Sequence, residues 1–103
     1  MPQKHFLLVV YDIGNDRRRT KLHQLLLDYG TPVQYSVFEC WLSDAEEARL
    51  KRAVRRIVRP KKQDHVRYYR LCARCVGETE VVGRYDAPGP APSAWVVGDA
   101  EGG

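Results

Sequence analysis

The opening part of this chain holds no apolar run long enough to cross a bilayer: the longest early one, Phe6 to Val10, falls far short of the roughly 20 residues a spanning helix needs. Too few residues precede it to make a signal peptide, so a soluble protein of the cytoplasm with no membrane partner is expected. Cysteine is scarce and odd in number (Cys40, Cys72 and Cys75), which argues against a disulfide framework and for a reducing compartment. Histidine is equally scarce, and His5, His23 and His65 are scattered. Structural zinc normally takes four ligands, often as two C-x-x-C pairs, so the single pair in Cys72-Ala73-Arg74-Cys75 is not expected to hold it. Thioredoxin-type redox chemistry wants such a pair at a helix start, whereas here it follows a predicted strand, so these cysteines read as buried or incidental. No internal repeat is visible.

What is present describes one folded domain. With 44% hydrophobic and 29% charged residues the chain lies outside the regime of intrinsic disorder. Its 103 residues suit a single domain with a thin core, burying about two-thirds of the surface the unfolded chain exposes. A net charge of +4 is modest for a nucleic-acid binder, so the placement of the cations matters more than their sum.

His5 to Tyr11 is an unbroken apolar, β-branched and aromatic run ending at Asp12, with Gly14 and Asn15 behind it, and predicts a strand. Its lack of alternation implies that both faces are buried, which a chain this small achieves most readily against a partner surface. Leu22, Leu25, Leu26 and Tyr29 then recur at helical spacing, with Asn15 or Asp16 as cap and Gly30 and Pro32 ending the helix. Val33 to Leu42 predicts a second strand. Ser43-Asp44-Ala45-Glu46 is a capping box opening a second helix, whose apolar stripe is Leu50, Ala53, Val54, Ile57 and Val58 and whose end is marked by Pro60. Asp64 to Cys72 predicts a third strand and Glu78 to Val82 a short fourth. The expected order is therefore β-α-β-α-β-β: an α/β (α+β) ferredoxin-like sandwich, a small antiparallel sheet with two helices on one face. This domain spans residues 1–83. Residues 84–103 form a Pro- and Gly-rich tail with a possible edge strand at 94–97, on this subunit or on a partner.

Asp12, where the first strand ends, is either a turn-forming residue or a candidate metal-binding carboxylate. One carboxylate makes a poor magnesium site, but a symmetry mate from a second copy would supply another. Asp16 is a second candidate, with helix capping as its competing role. Arg17, Arg18 and Arg19 crowd the first turn of the first helix, where the helix dipole disfavours cations and a phosphate would relieve the conflict. From Arg49 to Lys62 the cations Arg49, Lys51, Arg52, Arg55, Arg56, Arg59, Lys61 and Lys62 have no carboxylate among them. They form either a solvated face or a surface that tracks a phosphate backbone; like charges such as Arg52 with Arg56 cost helix stability, which an anionic partner would offset.

Tyr11-Asp12-Ile13 followed by Asp16, Arg18, Arg19 and Lys21, then Gly30 and Gln34-Tyr35-Ser36-Val37-Phe38-Glu39, resemble in order and spacing the hallmark pattern of the CRISPR-associated protein two family. Tyr68-Tyr69-Arg70-Leu71-Cys72 is similar to that family's third strand. The resemblance runs to about residue 83. It implies a ferredoxin-like homodimer with facing sheets, acting in spacer acquisition as a magnesium-dependent endonuclease on RNA or DNA, with Asp12 as metal ligand and catalytic residue. Tyr11, Arg18, Arg19, Ser36 and Phe38 fall at positions implicated in nucleic-acid handling. The resemblance equally implies a non-catalytic reading: a dimeric bridge that binds duplex DNA and the larger CRISPR-associated integrase. An RNA-recognition module shares the sandwich topology, with Tyr35, Trp41 and Tyr69 as aromatics, but the expected dimer would close the sheet face it needs.

Overall fold

The computed structural model describes residues 3–83 and 95–97. Strand β1 (Lys4–Asp12) leads through a short turn into helix α1 (Asp16–Leu27), then β2 (Gly30–Gln34), β3 (Val37–Ser43), helix α2 (Asp44–Ile57) and, past a single 3-10 turn at Pro60–Lys62, β4 (His65–Leu71). These strands form an antiparallel sheet in the order β2-β3-β1-β4, so β1 lies between β3 and β4. The result is the expected ferredoxin-like sandwich.

Its element order differs from the sequence expectation. Residues 33–42 are not one strand: a turn at Tyr35 and Ser36 folds the segment into the β2–β3 hairpin. Neither turn residue has a positive φ, so the turn needs no glycine or asparagine and leaves no such mark in the sequence. The Ser36 carbonyl accepts a 3.1 Å hydrogen bond from the Tyr11 amide, which fastens the hairpin tip to β1. Gly30 opens β2 against β3; a Cβ there would collide with the Glu39 carbonyl and the Cys40 sulfur, so the close strand approach requires glycine.

After β4 the chain turns into a short helix α3 (Ala73–Gly77), which packs on β1, and then β5 (Glu80–Val82). The fold expected from sequence makes β5 part of the main sheet. Instead it pairs in parallel with β6 (Trp95–Val97) in a separate two-stranded sheet. Residue 94 and the proline-rich linker lie outside the described residues.

Alternation along β1 sorts its side chains by face. Leu7, Val9 and Tyr11 point with Phe38, Cys40 and Leu42 of β3 toward the helices, and meet Leu22 and Leu26 of α1 and Leu50 and Val54 of α2 in one core. Each fully buried Leu, Val or Phe contributes roughly 1.5–3 kcal/mol relative to exposure. The capping box opens α2 as expected: the Ser43 amide donates to Glu46 Oε1 at 2.8 Å, and the Glu46 amide to Ser43 Oγ at 3.2 Å.

Opposite the helices, the register aligns Phe6 with Trp41 and Leu71, Leu8 with Glu39 and Tyr69, and Val10 with Val37 and Arg67. Among the described residues, α1 and α2 both pack on the other side of the sheet. Leu8, Val10, Val37, Trp41 and Leu71 stay half-buried and Tyr69 is 45% exposed, an apolar patch of the kind that marks an interaction surface.

Candidate functional site

Asp12 ends the central strand on this open face, exposed to solvent. It belongs to the strand rather than to the turn, and its carboxylate makes no hydrogen bond or ion pair among the described residues. Several other acidic side chains of the domain are engaged: Asp16 by Arg19, Asp44 and Glu47 by Arg70, Asp64 by Arg18, and Glu46 by the Ser43 amide. Across the β1–β4 pair the residue opposite Asp12 is His65, which therefore shares its face. That neighbour was not legible in the sequence, because strand register alone brings the two together.

Among the described residues no group of three or more histidines, cysteines, aspartates or glutamates converges on a point. One protomer thus offers one hard oxygen ligand at Asp12. This fits a magnesium ion, which takes one or two carboxylates and completes its shell with water or phosphate, as half of a site that a second copy would finish.

The three first-turn arginines have different surroundings. Arg18 donates to the buried Asp64 carboxylate twice, Nε to Oδ2 at 2.7 Å and Nη2 to Oδ1 at 3.2 Å, and Asp64 also accepts from the Arg59 amide at 3.0 Å. The Arg18 hydrogen bond holds the Asp64 carboxyl below the usual carboxylate range. Arg19 donates to the Ile13 carbonyl at 3.0 Å and pairs with Asp16. The anion that relieves the crowding at this helix start is therefore supplied twice by the chain itself. Arg17 is exposed and has no such partner among the described residues. Asn15, not Asp16, caps α1, accepting from the Arg18 amide at 2.9 Å.

Of the remaining expected nucleic-acid residues, Phe38 is fully buried on the helix-facing side of the sheet. Its ring stands edge-on to His23 at 5.2 Å, and the Tyr11 hydroxyl lies 3.4 Å from His23 Nδ1. Burial raises the Tyr11 phenol pKa. Tyr11, His23, Arg19 and the 88% exposed Tyr35 line a hollow of about 320 Å³ beside the hairpin tip. Ser36 is held at the hairpin tip by its carbonyl, which accepts from the Tyr11 amide at 3.1 Å. Arg52, Arg55 and Arg56 are all exposed on α2. Arg55 and Arg56 occupy its last turn and Asp44, Glu46 and Glu47 its first, so both ends complement the helix dipole.

The cysteines also depart from expectation. Cys40 is buried in the core, and burial pushes its thiol up to about 12. Cys72 and Cys75 are exposed, and Cys72 is the N-cap of α3, so the pair does stand at a helix start. Sequence reasoning missed this helix because it is a single turn without an apolar stripe.

Fold and surface together place the chain among small ferredoxin-like α/β proteins that keep one sheet face open. Comparison narrows this to one family: residues 5–79 match the family described as CRISPR associated protein Cas2, and the chain belongs to it. It is 41% identical over 88 residues to the CRISPR-associated endoribonuclease Cas2 1 of Chloroflexus aurantiacus, covering 85% of this chain and 92% of the relative. The crystal structure of a hypothetical protein from Thermus thermophilus superposes with a TM-score of 0.71 at 40% identity, covering 84% of this chain and 99% of the other. A chain of a partial Cas6-RT-Cas1–Cas2 complex superposes with a TM-score of 0.62 at 27% identity, covering 73% and 87%.

Proposed function

We propose that this protein is a magnesium-dependent endonuclease of CRISPR spacer acquisition, acting on RNA or DNA phosphodiesters as a homodimer whose open sheet faces meet. The observation that carries this reading is the unpaired, exposed Asp12 carboxylate at the rim of an apolar sheet face. A two-fold contact across that face buries Leu8, Val10 and Tyr69 and turns two Asp12 carboxylates toward a shared space. Asp12 and its mate would hold a magnesium ion there, and the ion would supply Lewis acidity toward the phosphodiester and the attacking water. The chain's own cations, Arg17 and the exposed Arg52, Arg55 and Arg56, hold the nucleic-acid backbone through its phosphates without reading sequence. Buried Tyr11 and Phe38 act from beneath, fixing the end of β1 and the hairpin tip around Asp12. The name of the Chloroflexus relative supports the nuclease activity.

The similarity to a chain of a Cas1–Cas2 complex favours a second reading, a dimeric bridge that binds duplex DNA and the larger integrase without needing catalysis. One experiment addresses both. Wild type and Asp12→Asn, purified free of other nucleases, are titrated with magnesium on single-stranded RNA and on duplex DNA. The nuclease reading expects metal-dependent cleavage by wild type and a loss of orders of magnitude in the variant. Equal cleavage by both proteins refutes the site, and spacer acquisition that survives Asp12→Asn in cells supports the bridge.

A further inference from the structure

Two sulfurs outside the proposed site stand in reacting distance of each other. Cys72 Sγ and Cys75 Sγ are 3.1 Å apart, and the Cys75 amide donates to Cys72 Sγ at 3.3 Å. Both residues are exposed, whereas the third cysteine, Cys40, is sealed in the core. The short helix that carries them is anchored from below: Val76, next to Cys75, is buried and α3 packs on β1. Solvent reaches Cys72 through a hollow of about 250 Å³ that also borders Lys4, Phe6, Trp41 and Arg70. The three thiols thus differ in chemistry, two paired and accessible and one inert.

We infer that Cys72 and Cys75 form a reversible intramolecular disulfide by exchange with a small-molecule disulfide such as oxidised glutathione. Cys72 is the attacking sulfur. Its thiol is held below the ordinary cysteine range by the hydrogen bond from Cys75 and by the backbone amides of Cys75 and Arg74, while Cys75 is raised by the same pairing. In the first step the Cys72 thiolate attacks one sulfur of the small disulfide, the S–S bond breaks, and one small thiolate leaves with the electron pair and takes up a proton. In the second, Cys75 gives its proton to solvent and its thiolate attacks the Cys72 sulfur of the mixed disulfide, expelling the second small thiol. Two protein thiols are oxidised and one disulfide is reduced to two thiols, so electrons and protons balance. An exposed pair of this kind belongs to the labile disulfides that a reducing compartment permits transiently, not to a structural framework. Because the closed loop is so short, the cross-link removes little chain entropy, and the fold is expected to be shared by both states.

The test uses the full chain equilibrated in stepped mixtures of reduced and oxidised glutathione, acid-quenched, alkylated after denaturation and weighed intact. Wild type is expected to lose two hydrogens in one transition, with a single remaining alkylatable thiol mapping to Cys40. Cys75→Ser, which leaves the mixed disulfide unresolved, is expected to collect a glutathione adduct on Cys72; Cys72→Ser is expected to react several-fold more slowly. Dithiothreitol should return wild type to the starting mass. Persistent glutathione adducts on wild type, chain-to-chain disulfides on a non-reducing gel, or no change of mass at any ratio would each overturn the inference. A brief alkylation of the folded, reduced protein gives an independent readout: Cys72 labelling no faster than Cys75 would overturn the assignment of the attacking thiol.

Discussion

Arg18 and Asp64 meet through two near-parallel hydrogen bonds at 2.7 and 3.2 Å, joining the first turn of α1 to the start of β4 across 46 residues of chain. The carboxylate is enclosed and also ties down the Arg59 amide. Removing the guanidinium leaves a buried anion with one neutral donor, a strongly destabilising change. Arg18→Ala is therefore expected to lower the melting temperature by more than about 5 °C, with Arg18→Lys intermediate because it cannot make the fork. Arg17→Ala, one residue away, should melt like wild type. Equal melting of Arg18→Ala and wild type would show that the pair does not hold the fold.

Glu47 gives the acid limb of stability a specific source. Burial raises its carboxyl, but hydrogen bonds from Lys51, Arg70 and His5 outweigh that and bring it to about 2. An unfolded glutamate titrates near about 4.3. With the folded value below the unfolded one, this stabilisation is fully present above about pH 4.3 and is lost as pH falls through about 2. Urea midpoints measured across that window should fall for wild type and fall less steeply for Glu47→Gln, which starts lower at neutral pH. Parallel profiles would detach Glu47 from acid unfolding.

Dimer formation is read directly by mass in solution. Light scattering on wild type is expected to give twice the 11.8 kDa of one chain. Leu8 lies on the central strand between Glu39 and Tyr69 on the open face, so Leu8→Glu puts a charge in the middle of the proposed contact. That variant should be monomeric with an unchanged circular dichroism spectrum. Wild type at the mass of one chain throughout the micromolar range would remove the shared Asp12 site.

Charge reversal separates backbone binding from structure. Arg52, Arg55 and Arg56 changed to Glu should weaken binding about equally for unrelated sequences and reduce the salt slope by about one for each phosphate that is no longer neutralised. Arg17→Glu should act in the same direction. Affinity that barely changes between low and physiological salt would contradict a phosphate-tracking surface.

Local signals in the chain are sufficient for much of the fold. The unbroken run from His5 to Tyr11, the capping box at Ser43 and Glu46 and the stripe from Leu50 to Val58 each carry their meaning within a few residues, and each is legible as the element it forms. Asp12 is legible as a candidate by the same means, at the end of a strand and inside a recognisable pattern. What depends on distant partners is not. The turn at Tyr35 and Ser36 has no positive φ to demand a marker residue, so the segment reads as one strand where there are two. The partner of Arg18 is likewise invisible along the chain: nothing near Arg18 announces that an aspartate 46 residues away will be buried against it.

Sequence by itself thus determined the class of fold, the family and the carboxylate on which the proposed chemistry rests, because hydrophobic period, capping and motif spacing are all short-range. Tertiary structure decided which charges remain available. It consumed Arg18 and Arg19 internally, buried Phe38, set His65 beside Asp12, and brought Cys72 and Cys75 together on an exposed turn. Strand register and side-chain enclosure select those neighbours, and both arise only when the whole sheet has closed on its helices.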